Sequence, residues 1–300
     1  MSSNAVIIRK KAAKPSTLFK DLDERVTEHA GHATDLAMEE CHCRKIIVSG
    51  GGDGTVNEVV NGIFLAKANN DVALLIDPIG TGNDAAYGLG IKTEEDAYRA
   101  LIEGNLHRID VGRVSFLNSA GKSVERYYIG NAGIGFTGKL CEAVRHFKFI
   151  GKHAYDVTIV YLLINYDCTP IKLEINDMPA VKRPSFFLDV YNNIFGGGGI
   201  RPAPKARMDD GLLDVIFAGK VGRIEAIMML GQFKKGTHLG HHAIEHYLVS
   251  NVKATGDNLT VYADGEVLGR TAKNAPVTFA VVPSSLNVFY LKGKSEAINS

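Results

Sequence analysis

Apolar runs that end in glycine alternate with helical stripes over the first hundred residues, and then the alternation stops. Lys45–Ser49 (KIIVS) and Val72–Ile76 (VALLI) are continuous apolar runs of the kind that suits a parallel sheet buried on both faces. Between them Val56, Val59, Val60, Ile63 and Phe64 fall at i, i+3, i+4, i+7 and i+8, one face of a helix. Thr93 to Glu103 predicts a second helix, with Thr93 as N-cap and Asp96 at the third position. This succession predicts a doubly wound α/β domain with a parallel sheet over residues 1–111.

From about Val111 the pattern becomes short strands between turn signals. They are Lys172–Ile175, Ser185–Val190, Leu212–Phe217, Val249–Ala254, Leu259–Ala263, Val277–Val282 and Leu286–Leu291. Such spacing predicts an antiparallel β-sandwich over residues 112–287, with residues 288–300 returning to complete the first domain. Helical stretches interrupt it near 139–166 and 223–233. Gly196–Gly199 reads as a local glycine run, not a linker.

Composition narrows the function classes. The chain has 300 residues, 45% apolar and 22% charged, ordinary for a globular protein. A net charge of +1 gives no field to draw nucleic acid. Arg9-Lys10-Lys11 and Lys234-Lys235 read as solvated surface. Cys41, Cys43, Cys141 and Cys168 lack zinc spacing and read as reduced cytosolic thiols. His238, His241, His242 and His246 suggest a metal cluster, but Gly236 and Gly240 break the helix that would align them. No apolar run reaches the ~20 residues of a membrane span.

The chemistry concentrates in two glycine-rich loops. Ser49-Gly50-Gly51-Gly52-Asp53-Gly54-Thr55-Val56-Asn57-Glu58 runs from a strand into a helix, where bare backbone N–H groups and a helix start can cradle phosphate. Asp53 would repel a bare phosphate and makes sense with a cation between them. The second loop, Asp77-Pro78-Ile79-Gly80-Thr81-Gly82-Asn83-Asp84, follows the neighbouring strand, and parallel strands end on one edge, where ligands bind. Asp264-Gly265-Glu266 and Asp209-Asp210-Gly211, read alone, are turns.

Together these stretches resemble the diacylglycerol kinase catalytic-domain family, which includes soluble bacterial lipid kinases and is related to sphingosine kinases and NAD kinases. GGDGTVNEVVNG (51–62) and GTGND (80–84) carry most of the resemblance. IDVGRV (109–114), NAGIGF (131–136), DDGLLDV (209–215), KGTHL (235–239) and DGE (264–266) extend it over most of the chain. The resemblance implies a nucleotide domain, a β-sandwich lipid domain and an active site in the cleft between them. It implies ATP contacts at Thr27, Gly51, Gly52, Asp53, Gly54, Thr55, Val56, Asn57, Glu58, Gly80, Thr81, Gly82, Asn83 and Asp84. Asp53 and Asp84 would join a Mg2+–water network. Asp210, with the carbonyls of Arg207 and Leu212, would hold a structural Mg2+. Asp264 and Glu266 are both candidates for the general base.

The function implied is an ATP-dependent lipid kinase, with diacylglycerol as acceptor, working in the cytoplasm and transiently at the inner membrane surface. Its partner is then a membrane lipid and not a nucleic acid, and a homodimer stays open. An NAD kinase-like enzyme and a non-catalytic lipid or nucleotide sensor are the alternatives. One departure feeds the sensor reading. Lys10 to Thr17 does not match the family's N-P-x-S/T-G loop, and the stretch before Thr27 is about a dozen residues short. Lys10, Lys11 or Lys14 could replace the lost contacts, with a plain surface role favoured. A lipid route along Phe147, Phe149, Ile150 and Tyr155 competes with ordinary core packing.

Overall fold

A computed structural model describes residues 4–11, 13, 15–144, 154–175 and 178–298, with only the backbone described for 154–157. Phe147, Phe149, Ile150 and Lys14 lie outside these residues, and the side chain of Tyr155 does too.

The first half is the predicted α/β layer. β1 (Ala5–Lys10), β2 (Asp23–Thr27), β3 (Ile46–Gly51) and β4 (Ala73–Pro78) form a parallel sheet in the order β2-β1-β3-β4. Ile7, Ile8, Ile47, Val48, Leu74 and Leu75 are almost wholly buried, as a sheet covered on both faces requires. α1 (His32–Glu40) and α2 (Asp53–Leu65) cover one side, and Val56, Val59, Val60 and Ile63 are the buried stripe of α2. α3 (Asp84–Gly88) and α4 (Glu94–Glu103) follow β4, and the Thr93 hydroxyl accepts the Asp96 N–H as predicted.

Polar strand β2 and helix α1 gave no periodic signal. No helix links β1 to β2 among the described residues. The crossover is a loop, pinned where Glu94 accepts hydrogen bonds from Ser16, Thr17 and Leu18. Arg9 corrects the surface reading: it is buried and pairs with Glu24.

The second half is an antiparallel sandwich. Its strands are β5 (Leu106–Leu117), β6 (Ser123–Tyr128), β7 (Asn131–Gly135), β8 (Thr169–Glu174), β9 (Val181–Tyr191), β10 (Leu213–Gly219), β11 (Ile244–Val249), β12 (Asn251–Thr255), β13 (Thr260–Ala263), β14 (Glu266–Arg270) and β15 (Pro276–Phe289). Val114, Phe116, Tyr128, Ile134, Leu188, Val215, Phe217, Val261 and Phe279 fill its core. α5 (Phe136–Val144), α6 (Ala154–Asn165) and α7 (Arg223–Lys235) pack outside that core. No helix among the described residues is long and apolar enough to cross a membrane.

The predicted strands at 277–282 and 286–291 are one strand, β15, with a register shift between Val282 and Leu286. Pro283-Ser284-Ser285 reads as a turn but forms a bulge, with Ser284 at φ +44°. β15 pairs with β12 and β5 and then runs parallel to β4 through Asn287 and Val288. β5 crosses residue 111, the expected domain boundary, without a break.

α1 lies close on α2 because Gly62 has no side chain. A Cβ there would fall 2.4 Å from the Thr34 carbonyl oxygen and 2.6 Å from the Ala37 Cβ. Gly62→Ala is therefore expected to cost about 1–3 kcal/mol of stability through overpacking. Urea denaturation checks this, and an unchanged midpoint would contradict the packing described.

Candidate active site

Both glycine loops end on the same edge of the parallel sheet, because β3 and β4 run side by side with Gly50 opposite Asp77 and Gly51 opposite Pro78. They touch. A Cβ built on Gly80 would lie 2.2 Å from Gly52 Cα, so only paired glycines allow this approach. Gly52 caps α2, which points its first turn at the junction. Asn83, at φ +58°, folds its own loop: its Oδ1 accepts the Gly80 N–H, and its Nδ2 donates to the Pro78 and Gly80 carbonyls.

Two spaces meet this junction. The first is an open cleft lined by Lys10, Lys11, Thr27, His29, Gly52, Gly54, Thr55, Glu58 and Glu266. Five of the sequence-predicted nucleotide contacts fall here. Glu58 has a further duty: it accepts the Gly31 and Ala33 N–H groups and so holds the start of α1. Lys10 and Lys11 stand exposed at this cleft, where the sequence left them as surface.

The second space is a recess lined by Asp53, Asp84, Gly130, Asn131, Gly198, Asp264 and their neighbours. Three carboxylates and no Lys or Arg line it. Asp53 opens α2 and accepts the Ala85 N–H. Asp84 accepts the N–H groups of Gly198 and Gly199 at 2.8 and 2.6 Å. Burial raises the Asp53 carboxyl, and burial plus the Asp53 charge pushes Asp84 up to about 6. A Cβ on Gly82 would lie 2.7 Å from Asp53 Oδ2 and 3.8 Å from Asp84 Oδ2, so both carboxylates border that glycine. An all-oxygen, uncompensated donor set of this kind fits a hard divalent cation such as Mg2+.

Asp264 sits on a two-residue hairpin turn between β13 and β14. Asp264 and Gly265 have φ of +44° and +78°, as an Asp-Gly turn of primed type requires. The backbone donors of Ile129, Gly130 and Asn131 lie 3.2, 2.9 and 3.0 Å away, and Asn57 Nδ2 lies 2.8 Å away. These four donors occupy its lone-pair sites. Burial, reinforced by the Asp53 charge, still pushes the carboxyl up to about 6. Glu266, two residues on, faces the open cleft, with Oε1 3.3 Å from where a Gly54 Cβ would be. The two carboxylates of the DGE stretch thus serve different spaces.

Other predicted residues lie elsewhere. Val56 is buried in the core, and the Asn57 amide is spent on Asp264 and the Tyr127 carbonyl. Gly51 is buried behind the loop, and Thr81 is exposed at its tip. Asp210 is exposed in the turn before β10, where its Oδ1 accepts the Leu212 N–H, and Arg207 pairs with Asp209. The histidines separate. His238 is buried, stacked on Phe233 and bonded to the Pro202 carbonyl, while His246 pairs with Asp214. His241 and His242 instead meet Glu225.

Sequence reasoning missed several residues that build the recess. The Gly196–Gly199 run donates to Asp84, which a glycine run after a strand could have suggested. Asn193 donates to the Asp84 carbonyl, and Asn131 donates to the Tyr262 hydroxyl. Beside the recess lies an apolar cavity of about 830 Å³ counting its open mouth, walled by α5, α6, α7, β9 and β10. Phe136, Leu140, Leu163, Phe187, Met229 and Phe233 are among its walls. Asn131 and Gly197 line both spaces, so recess and cavity are neighbours that share these two residues. Asp189 lines the cavity, where the Thr137 and Tyr191 hydroxyls donate to its Oδ2, Tyr262 also bears on the carboxyl, and Oδ1 has no hydrogen-bond partner among the described residues.

A glycine-rich cleft, a carboxylate recess and an apolar cavity in one α/β-plus-sandwich fold suit a lipid-kinase-like phosphotransferase. The comparisons agree. The "Diacylglycerol kinase catalytic domain" family model matches residues 4–114, and the "YegS C-terminal NAD kinase beta sandwich-like domain" matches 130–290. A diacylglycerol kinase of Bacillus subtilis (strain 168) is 28% identical over 285 residues, covering 91% of this chain and 89% of its own. A Bacillus anthracis diacylglycerol kinase structure superposes with a TM-score of 0.72 at 20% identity, covering 97% of each chain. Yeast NADH kinase shares the fold at a TM-score of 0.54 and 9% identity, over 98% of this chain and 85% of its own. The chain belongs to the diacylglycerol kinase catalytic-domain family, and that membership implies ATP as phosphoryl donor.

Burial pushes the Asp189 carboxyl up to about 7, far above its value in an unfolded chain. The folded state therefore keeps a proton that the unfolded state loses, and stability falls as pH rises from about 4 to about 7. Asp189→Asn is expected to flatten that decline and to gain up to roughly 4 kcal/mol at pH 8 relative to its standing at pH 4. Thermal midpoints across pH test this, and a decline as steep as that of the parent protein would contradict it.

Proposed function

We propose that the chain transfers the γ-phosphoryl group of ATP to the hydroxyl of a membrane lipid, with diacylglycerol as acceptor and phosphatidic acid as product. One observation carries this reading: the carboxylate recess beside the glycine cradle adjoins an apolar cavity, the two sharing Asn131 and Gly197 in their walls. A small polar acceptor such as NAD has no use for such a cavity, whereas an acyl chain does.

In this reading the triphosphate lies over Gly52, Gly54 and Thr55, with Lys10 and Lys11 at the outer end of the cleft. Asp53 and Asp84 would hold Mg2+, which when bound neutralises phosphate charge. Asp210, whose Oδ1 already accepts the Leu212 N–H, would with the carbonyls of Arg207 and Leu212 hold a second, structural Mg2+ by the family resemblance alone. The acceptor's chain occupies the apolar cavity, and its hydroxyl reaches Asp264 where Asn131 and Gly197 border both spaces. Asp264 takes the hydroxyl proton while the lipid oxygen bonds to the γ-phosphorus and ADP leaves. To accept that proton Asp264 must release one of its four donors, and the Ile129 N–H, at 3.2 Å, is the most weakly held. Glu266 stands on the nucleotide side and is the less favoured base.

The test is a mixed-micelle assay with labelled ATP, offering diacylglycerol, monoacylglycerol, sphingosine, undecaprenol and NAD as acceptors. Diacylglycerol is expected to be phosphorylated fastest. Nucleotide binding without turnover on any acceptor would replace this reading with the sensor. Asp264→Asn should lower turnover by roughly 10²–10⁴, and Glu266→Gln by less. Equal losses in both would move the base. Because a protonated carboxylate cannot accept a proton, kcat/KM should fall as pH drops below about 6, the value to which Asp264 is raised. A pH-independent rate from 5 to 7 would rule Asp264 out as base.

A further inference from the structure

Helix α7 is apolar on opposite sides. Ala226, Met229, Leu230 and Phe233 face inward and line the cavity. Ile224, Ile227 and Met228 face outward, with Ile224 76% and Met228 65% exposed. Helix α6 packs against α7 and repeats the arrangement. Its Ile159 and Leu163 are buried, while Val160, Tyr161 and Ile164 are exposed. Apolar side chains on the outward as well as the inward face call for a nonpolar medium on both. Six large exposed apolar residues on two adjoining helices exceed the single scattered ones a protein surface carries as a matter of course.

The charges around this face are mostly of one sign. Lys220 and Arg223 are exposed at the start of α7, and Lys234 and Lys235 at its end. Ile224, Met228, Gly231 and Lys235 stand at i, i+4, i+7 and i+11, so a cation continues the outward stripe. Glu225 is half-buried and engaged by His241, His242 and the Gly222 N–H. Asp167, just after α6, is an exposed carboxylate at the margin.

We propose that the outward faces of α6 and α7 dock the protein on an anionic bilayer, apolar side chains entering the interface and the lysines and arginine meeting lipid headgroups. The proposal rests on the lipid-kinase reading for its purpose, but not for its observations. The inner faces of the same two helices wall the cavity, so docking sets the cavity against the acyl layer that supplies its occupant. Charge selects the partner. A second copy of the chain seated on this face would bring like cations together, whereas an anionic lipid surface complements them. Amphipathic interfacial helices of this kind bind through buried apolar area and cationic contact together.

The test is flotation of the full chain with phosphatidylcholine vesicles, with and without phosphatidylglycerol. The parent protein is expected to float with anionic vesicles and to be released by salt. Ile224→Glu with Met228→Glu should weaken partition by at least about tenfold, and Arg223→Gln or Lys235→Gln by about fivefold each at low salt. The side chains replaced are exposed, and circular dichroism verifies the fold of each variant. Turnover on dispersed dioctanoylglycerol should stay at the parental level in all of them. Undiminished vesicle binding by the Ile224→Glu/Met228→Glu protein overturns the proposal. So does sedimentation showing that those changes split a dimer while vesicle binding is kept. Vesicle binding that responds as described, in a protein that phosphorylates no lipid, would instead sink the kinase reading and leave the docking surface standing.

Discussion

The Asp264 carboxylate ties the two halves of the molecule together. It reaches from a hairpin of the sandwich to Asn57 on the first turns of α2, and it gathers the backbone N–H groups of residues 129–131 on the way. A buried carboxylate held by four donors is costly to disturb, because each donor released in the interior is left unpaired. The geometry of nucleotide cleft, recess and cavity is thus set by the same contacts that hold the halves in register. A change at Asp264 therefore acts on the assembly of both halves.

The α/β half was legible because its rules are local. An apolar run, a glycine loop and a helical stripe each declare themselves within a dozen residues, and the Thr93 cap is found where the spacing puts it. β2 and α1 escaped because DERVT is polar and α1 is short, so neither carries a periodic signal. The loop between β1 and β2 departs from the family pattern, and its anchoring to Glu94 could not be read from residues 76 to 78 positions apart.

Much of the site was illegible for a similar reason. Asn131, Asn193, Gly198 and Gly199 acquire their parts only because β7 pairs with β9 and the glycine run returns over α3. Val56 and Asn57 fell inside a motif and were assigned to the ligand with it. In the folded chain α2 turns them inward, Val56 to the core and Asn57 to Asp264. Asp189 looked like one more residue of a strand. Only pairing with Gly133, whose absent Cβ would lie 2.1 Å from Asp189 Oδ1, gives a carboxyl room in that wall.

β15 has a mechanical consequence. Its fourteen residues hydrogen-bond to the sandwich at one end and to the parallel sheet at the other, bent once at the Ser284 bulge. Swinging one half against the other would shear that ladder and forfeit several backbone hydrogen bonds at once. A stiff frame fixes the separation between the glycine loops of the parallel sheet and the sandwich residues that face them.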